Sequence, residues 1–327
     1  MRHYDLWMER YNQRKTQIID VLRKHHSDLH DIKKRIPSEE IIHPLPDEVD
    51  ANPASMCFVD GGEGYRELLG AGLYFVRATS LLMAEKVGEQ FVRDVDLGII
   101  AYDENTKDRV ELLREAMELD VALRTVRDYR PEYVFLDGSL YVKATRKPIA
   151  CAEYAAYIKK YHELVHTASK LGLSLVGVSE DSKSRLLKGY LASRYGVTFP
   201  EFFTDPTILD VLAPKRNYAT IKLRLTSNGI AYTTAYLKVH RLANPLRVDV
   251  AGGEEAFDAA AHVIRNLSRG SQHYGYPLPL YLAHLDARID PKHADWSARR
   301  LRHHTIREDP ELGEAIFGRT RRDLRPK

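Results

Sequence analysis

Met56–Ala78 runs MCFVDGGEGYRELLGAGLYFVRA. A short apolar run, Met56-Cys57-Phe58-Val59, stops at Asp60 and is followed by Gly61 and Gly62. A polar segment comes next, then a longer apolar run from Leu68 to Val76. The pattern predicts a buried strand, a Gly-rich turn and a partner strand. A carboxylate at the end of a buried strand is costly unless it is paired, hydrogen-bonded or holding a cation. Glycines beside it add no side chain and leave space for a ligand. The alternative is an Asp capping a β-turn whose glycines supply positive φ. Both readings stand on this stretch alone.

Further strands are expected after it. Asp96–Tyr102 reads as a third, which makes an antiparallel meander. A helix over Lys107–Asp128 leads to Tyr133-Val134-Phe135-Leu136, a strand that also ends in an acid and a glycine, Asp137-Gly138. Helix (Ala150–Leu171), strand (Leu173–Val178) and helix (Ser182–Arg194) alternate after that, which calls for parallel strands. Thr220–Leu225, Gly229–Lys238 and Leu246–Val250 read as strands, Glu254–Leu267 as a helix, and Pro277–Ala287 as an apolar stretch broken by His284. At the front, Trp7, Tyr11, Ile18, Leu22 and Leu29 stand among charges, as on amphipathic helices. Pro37, Pro44, Pro46 and Pro53 then mark an irregular connector. The expected division is an N-terminal helical extension over 1–50 and one α/β domain over 51–327.

Composition excludes several classes. The 327 residues are 44% hydrophobic and 29% charged, enough for a sizeable core, and the formal charge of +3 allows only a local nucleic-acid patch. Cys57 and Cys151 form neither a disulfide framework nor a zinc–cysteine cluster. Neither a signal peptide nor a membrane span is expected, so a cytoplasmic protein is. From Arg288 onward eleven Lys or Arg face seven Asp or Glu, a basic tail that more often means solvated surface than a DNA contact.

Three antiparallel strands, then helix, strand, helix, strand is the order of a ribonuclease H-like mixed sheet flanked by helices. There the first and fourth strands are neighbours, so Asp60 and Asp137 would face one cleft. Carboxylates that close repel unless a divalent cation neutralises them, and oxygen ligands suit magnesium or manganese. Two such ions can activate water and stabilise a leaving oxygen of a phosphodiester. On a helical wheel Leu112, Ala116, Leu119, Leu123 and Val126 define an apolar face. Asp120 lies on its edge, Glu115 on the other flank and Glu118 nearly opposite. Asp120 is therefore the expected third acid, its alternative being a boundary residue paired with Arg124 or Arg127.

Four landmarks in this order carry a resemblance: Phe58-Val59-Asp60-Gly61-Gly62, Phe135-Leu136-Asp137-Gly138-Ser139-Leu140, Val176-Gly177-Val178-Ser179, and Tyr276-Pro277 followed by Ala283-His284. From about Phe58 to Ala287 the chain resembles the NurA nucleases, ribonuclease H-like enzymes that work with the hexameric ATPase HerA in DNA end processing. The resemblance implies metal binding by Asp60, Asp137 and His284, and an active-site role for Tyr276. It also implies Mn2+ or Mg2+ (two ions per site), 5′-to-3′ exonuclease and single-strand endonuclease activity, a homodimer, and docking on HerA. The helix-borne acid is usually Glu in the family, where the wheel selects Asp120. The family often has Lys after the Val-Ser pair, where this chain has Glu180, so Lys183 or Arg185 is the expected phosphate contact. A catalytically weak DNA-binding or ATPase-scaffolding subunit of the same fold is the alternative.

One rival motif remains. His162-Glu163-Leu164-Val165-His166 fits the HExxH zinc-hydrolase pattern and lies in an expected helix. Its helix turns Tyr154, Ile158, Tyr161, Val165 and Ala168 inward and His166 away, and no third ligand stands downstream in a recognisable context. Solvent-facing histidines are the simpler expectation.

Overall fold

The computed structural model describes residues 3–45, 53–145, 150–213, 216–270 and 274–317. Pro46 of the connector and the part of the basic tail after 317 lie outside them. In chain order the elements are α1 (His3–Arg35), α2 (Ser38–Ile41), β1 (Ile42–His43), β2 (Ser55–Glu67), β3 (Ala71–Ala84), β4 (Gly88–Ala101), α3 (Thr106–Tyr129), β5 (Tyr133–Asp137), α4 (Leu140–Thr145) and α5 (Ala152–Leu171). They continue with β6 (Ser174–Ser179), α6 (Leu186–Tyr195), α7 (Asp205–Leu212), β7 (Tyr218–Thr220), β8 (Leu223–Ser227), β9 (Ile230–Lys238), β10 (Leu246–Ala251), α8 (Glu254–Leu267), α9 (Leu278–Ala287), α10 (Pro291–Glu308) and α11 (Pro310–Phe317).

The strands form one sheet in the order β1-β7-β9-β10-β6-β5-β2-β3-β4, with β8 added on β9. β2 and β5, and β5 and β6, pair in parallel, and the other pairs are antiparallel. The run β4-β3-β2-β5-β6 is the ribonuclease H-like arrangement expected from the sequence. Apolar strands buried on both faces form its middle. Cys57, Phe58, Val59, Val134 and Phe135 are all fully buried, and Phe58 and Phe135 stack at 5.1 Å between centroids. Each large side chain so buried contributes about 1.5–3 kcal/mol. On one face α3 and α5 cover the sheet with Leu119, Leu123, Tyr157 and Tyr161; on the other α8 and α9 do so with Phe257, Ile264 and Leu280. The end of α1 is tied in too: Ile32 and the following Ile36 share a core with Leu191, Leu209 and Tyr218.

Three local expectations change. The glycines after Asp60 do not turn the chain: β2 runs straight through them, paired with β3 from Ser55↔Ala84 to Glu67↔Gly72. The reversal comes at Leu68–Gly70, where Leu68 N–H donates to Ala71 O at 2.8 Å and Gly70 takes φ +76°. The other edge of β2 explains the apolar stop at Asp60, because β5 pairs only with Met56–Val59. Beyond Val59 that edge is open, and a cleft begins. β4 starts at Gly88, earlier than expected, and the 220–225 strand is split into β7 and β8.

Candidate metal centre

Asp60, Asp137 and His284 each bring a ligand atom to within 4.8 Å of the others. Asp60 stands where β2 outruns β5, and its Oδ1 accepts from Gly61 N–H at 2.7 Å. Asp137 ends β5 beside it, and its Oδ1 accepts from the Tyr276 hydroxyl at 2.9 Å. His284 Nδ1 lies 2.7 Å from Asp60 Oδ2. α9 carries His284, and two contacts set that helix. Asp286 accepts from Thr79 Oγ1 at 2.7 Å and from Arg93 at 2.7 and 2.9 Å, which ties α9 to β3 and β4. At Gly62 the Ala287 carbonyl comes so near that an added Cβ would sit 2.1 Å from it. A side chain added at Gly61 would likewise meet Glu118 Oε1 at 2.7 Å. The glycines thus admit protein rather than leave a void for ligand, correcting the sequence reading.

Asp120 is not at this centre, which corrects the wheel. Its carboxylate pairs with Lys160 of α5, on the side of α3 away from the sheet. α5 lies along the Asp120 side of α3, through the links Arg109–Glu153, Asp120–Lys160 and Arg127–Glu163. The sheet-facing side is instead a seam of polar and small residues. Thr125 Oγ1 donates to Ser80 Oγ on β3 at 2.8 Å, and Glu118, seven residues earlier on the same side, approaches Gly61. Glu118 is buried and salt-bridged by Arg114 and by Lys143 Nζ, the latter at 2.8 Å. It is the buried acid of α3 beside the strand of Asp60, while Glu111 and Glu115 of the same helix line the cleft.

The charges balance unevenly. Burial, and then the neighbouring Asp60 carboxylate, push Asp137 up to about 7, against the Tyr276 hydrogen bond and Lys143, which lower it. The hydrogen bond to Asp60 raises His284 above its ordinary value. Burial works against ionised Glu118, but Arg114 and Lys143 prevail and hold its carboxyl below the usual range. Tyr276 is raised by burial and by Asp137, and stays a neutral donor. A cation between the two acids would relieve the part of this lift that comes from Asp60. The donor set, two carboxylates and an imidazole, suits Mn2+ or Mg2+.

The centre lies at one end of a cleft of about 550 Å3 that extends past Ser179 and Glu180 to Lys183, with Arg114, Lys143 and Arg247 on its walls. Lys183 thus lines the cleft, and Arg185 stands exposed at the start of α6. Sequence reasoning missed Glu118, Lys143 and Arg247; the 114–118–125 polar spacing on an otherwise buried helix was the available signal for the first. His162 and His166 are exposed and Glu163 pairs with Arg127. Among the described residues they join no cluster of potential metal ligands.

Residues 54–289 match the model of the NurA domain family. The chain is 23% identical to the DNA double-strand break repair nuclease NurA of Saccharolobus solfataricus, over 88% of this chain and 90% of that one. The crystal structure of the Sulfolobus solfataricus NurA nuclease superposes with a TM-score of 0.70 at 19% identity, covering 93% of this chain and 98% of the other. A NurA crystal structure bound to dAMP and manganese gives 0.56 at 14% identity, covering 86% and 94%. The match spans more than two thirds of the sequence and includes Asp60, Asp137, Tyr276 and His284, so this chain belongs to the NurA family.

Proposed function

We propose that the protein is a metal-dependent DNA nuclease, acting as a 5′-to-3′ exonuclease and single-strand endonuclease in double-strand break repair. The observation that carries this is the convergence of Asp60, Asp137 and His284 at the end of a cleft walled by cations. Asp60, Asp137 and His284 hold Mn2+ or Mg2+, and Glu118 takes the place that the sequence assigned to Asp120. Glu118 would serve a second ion, in exchange for its present partners Arg114 and Lys143. When bound, metal neutralises the charge that develops on the phosphoryl group. Tyr276 fixes one Asp137 oxygen and so orients the other. His284, hydrogen-bonded to Asp60, must be neutral to serve as a ligand. Lys183 and Arg185 contact the DNA backbone near the cleft.

Likeness to nucleases solved with manganese and with dAMP supports the metal and the substrate class. Homodimer formation and docking on a HerA-type hexameric ATPase belong to the same reading. The test is degradation of end-labelled single-stranded DNA with Mn2+, with label at the 5′ or the 3′ end. Wild-type protein should cut at least about 100-fold faster than Asp60→Asn, a loss of the order expected when a group that stabilises transition-state charge is removed. Equal rates would end the nuclease reading.

A further inference from the structure

β10 is buried on both faces, and its alternate residues differ in kind. Leu246, Val248 and Val250 join the apolar core beside Phe257 and Ile264. Arg247 and Asp249 point the other way, 2% and 0% exposed. Arg247 is among the largest fully buried side chains of the protein. Burying a guanidinium is costly and calls for a partner.

Asp249 is that partner, on one edge only. Arg247 Nε donates to Asp249 Oδ1 at 3.0 Å and Nη2 to Oδ2 at 3.3 Å. The carboxylate also accepts from Thr234 Oγ1 at 2.8 Å, from Tyr141 N–H at 3.0 Å and from Ser139 Oγ. Ser139 follows directly on Asp137-Gly138 and Tyr141 lies in the first turn of α4, so Asp249 links the Arg247 fork to the segment that ends β5. A guanidinium has two edges that can each grip an oxyanion. Asp249 takes the Nε edge, which leaves the Nη1–Nη2 edge for the cleft that Arg247 lines.

Its position suits a strand passing the metal centre. Arg247 stands opposite Ser179 across β10 and β6, and Val178 stands opposite Asp137 across β6 and β5. The Cα of Arg247 is therefore two strands from that of Asp137, roughly 10 Å at ~4.8 Å per strand, and both residues line the cleft. The other cations of the cleft are differently placed. Arg114 and Lys143 are held by Glu118, and Lys183 is exposed.

We infer that Arg247 is a strand-positioning contact: its free edge grips a DNA backbone phosphate beside the reacting one, with Asp249 as the brace that presents it. This rests on the nuclease reading above. Binding of fluorescein-labelled oligo-dT, followed by anisotropy over a KCl series with Ca2+ in place of Mn2+, tests it. The Arg247→Gln/Asp249→Asn double variant keeps a neutral hydrogen-bonded pair in the buried site. Calorimetric Mn2+ affinity should stay near wild type. DNA Kd should rise about tenfold, and the slope of log K against log salt should fall by about one. A folded double variant with wild-type Kd and slope overturns the inference while the nuclease reading stands. Wild-type protein that neither binds nor cuts DNA removes both. If the double variant does not fold, Arg247→Lys decides. It keeps the charge and loses the fork, so weaker binding at unchanged slope supports the inference, and unchanged binding overturns it.

Discussion

Asp137 is the residue at which the centre stores unfavourable energy whenever no cation is bound. Its folded value of about 7 lies above the ~3.9 of an unfolded Asp, so the folded state favours the neutral form. Below pH ~4 the group is protonated in both states and costs nothing. As pH rises from ~4 to ~7 the unfolded chain ionises first, and the folded state falls behind. Asp137→Asn should therefore stabilise the EDTA-treated protein more at pH 8 than at pH 5, with a Tm gain of at least roughly 3 °C at pH 8. Saturating Mn2+ should reverse the order, because wild type gains a ligand-linked increment that the variant lacks. Since Asp137 and His284 must both lose protons to bind a cation, Mn2+ affinity should rise with pH through 6–7.5. Calorimetry in buffers of different ionisation enthalpy should show proton release at pH 6 that shrinks by pH 8. Glu118 and Asp120 are separable in the same way. Glu118→Gln removes the charge between Lys143 and Arg114 and should cost a few kcal/mol of stability as well as most activity. Asp120→Asn breaks a half-exposed pair with Lys160 and should change urea stability by less than ~1 kcal/mol and leave activity within about twofold.

At the scale of elements, β2 and α9 meet through glycine. Gly62→Ala would place its Cβ 2.1 Å from the Ala287 carbonyl, and backbone cannot yield as a side chain can. Alanine normally improves on glycine in a strand by roughly 0.5–1 kcal/mol, yet here overpacking of about 1–3 kcal/mol should win. It should also move α9, and with it His284, so Mn2+ affinity falls. Gly64→Ala meets Ile289 Cγ2 at 3.2 Å, Ala294 Cβ at 3.6 Å and Phe75 Cβ at 3.7 Å, all side-chain atoms, and should be nearly neutral in both measurements. This packing also marks what the sequence could disclose. The strand order was legible, because apolar runs and their spacing reflect local burial; so was the Asp60–Asp137 pairing, because two strand-end acids meet wherever those strands are adjacent. The identity of the third acid was not legible. Helical periodicity finds the most apolar side of a helix, and on α3 that side fills the core shared by α5 and the sheet, while Glu118 and Thr125 face β2 and β3. Nor could spacing disclose that Gly61 and Gly62 admit Glu118 and Ala287, since that depends on elements more than 50 and 200 residues away.

For the whole molecule, the sheet is asymmetric. Its β1 side ends in short strands, whereas β4 is a 14-residue terminal strand. On β4, Asp94 faces α3 through Arg124, so the alternate residues point to the other face. There Val95, Leu97 and Ile99 are 69%, 59% and 55% exposed, with Phe91 continuing the row. A row of β-branched and aliphatic side chains on an uncovered strand is an association surface unless it is covered or charged. Arg93, in the same row, is engaged by Asp286 and so leaves the apolar residues unguarded. In the homodimer proposed above, a second copy would bury this face. Val95→Glu/Leu97→Glu should then convert the dimer to monomer in sedimentation equilibrium, because like charges would meet across a two-fold axis. Mn2+ binding at Asp60, Asp137 and His284 should survive the change, since α9 is held to β4 through Arg93 rather than through the substituted residues. A double variant that sediments as wild type would place the dimer contact elsewhere. One that turns monomeric and also loses Mn2+ would show that the centre needs the partner to hold its shape.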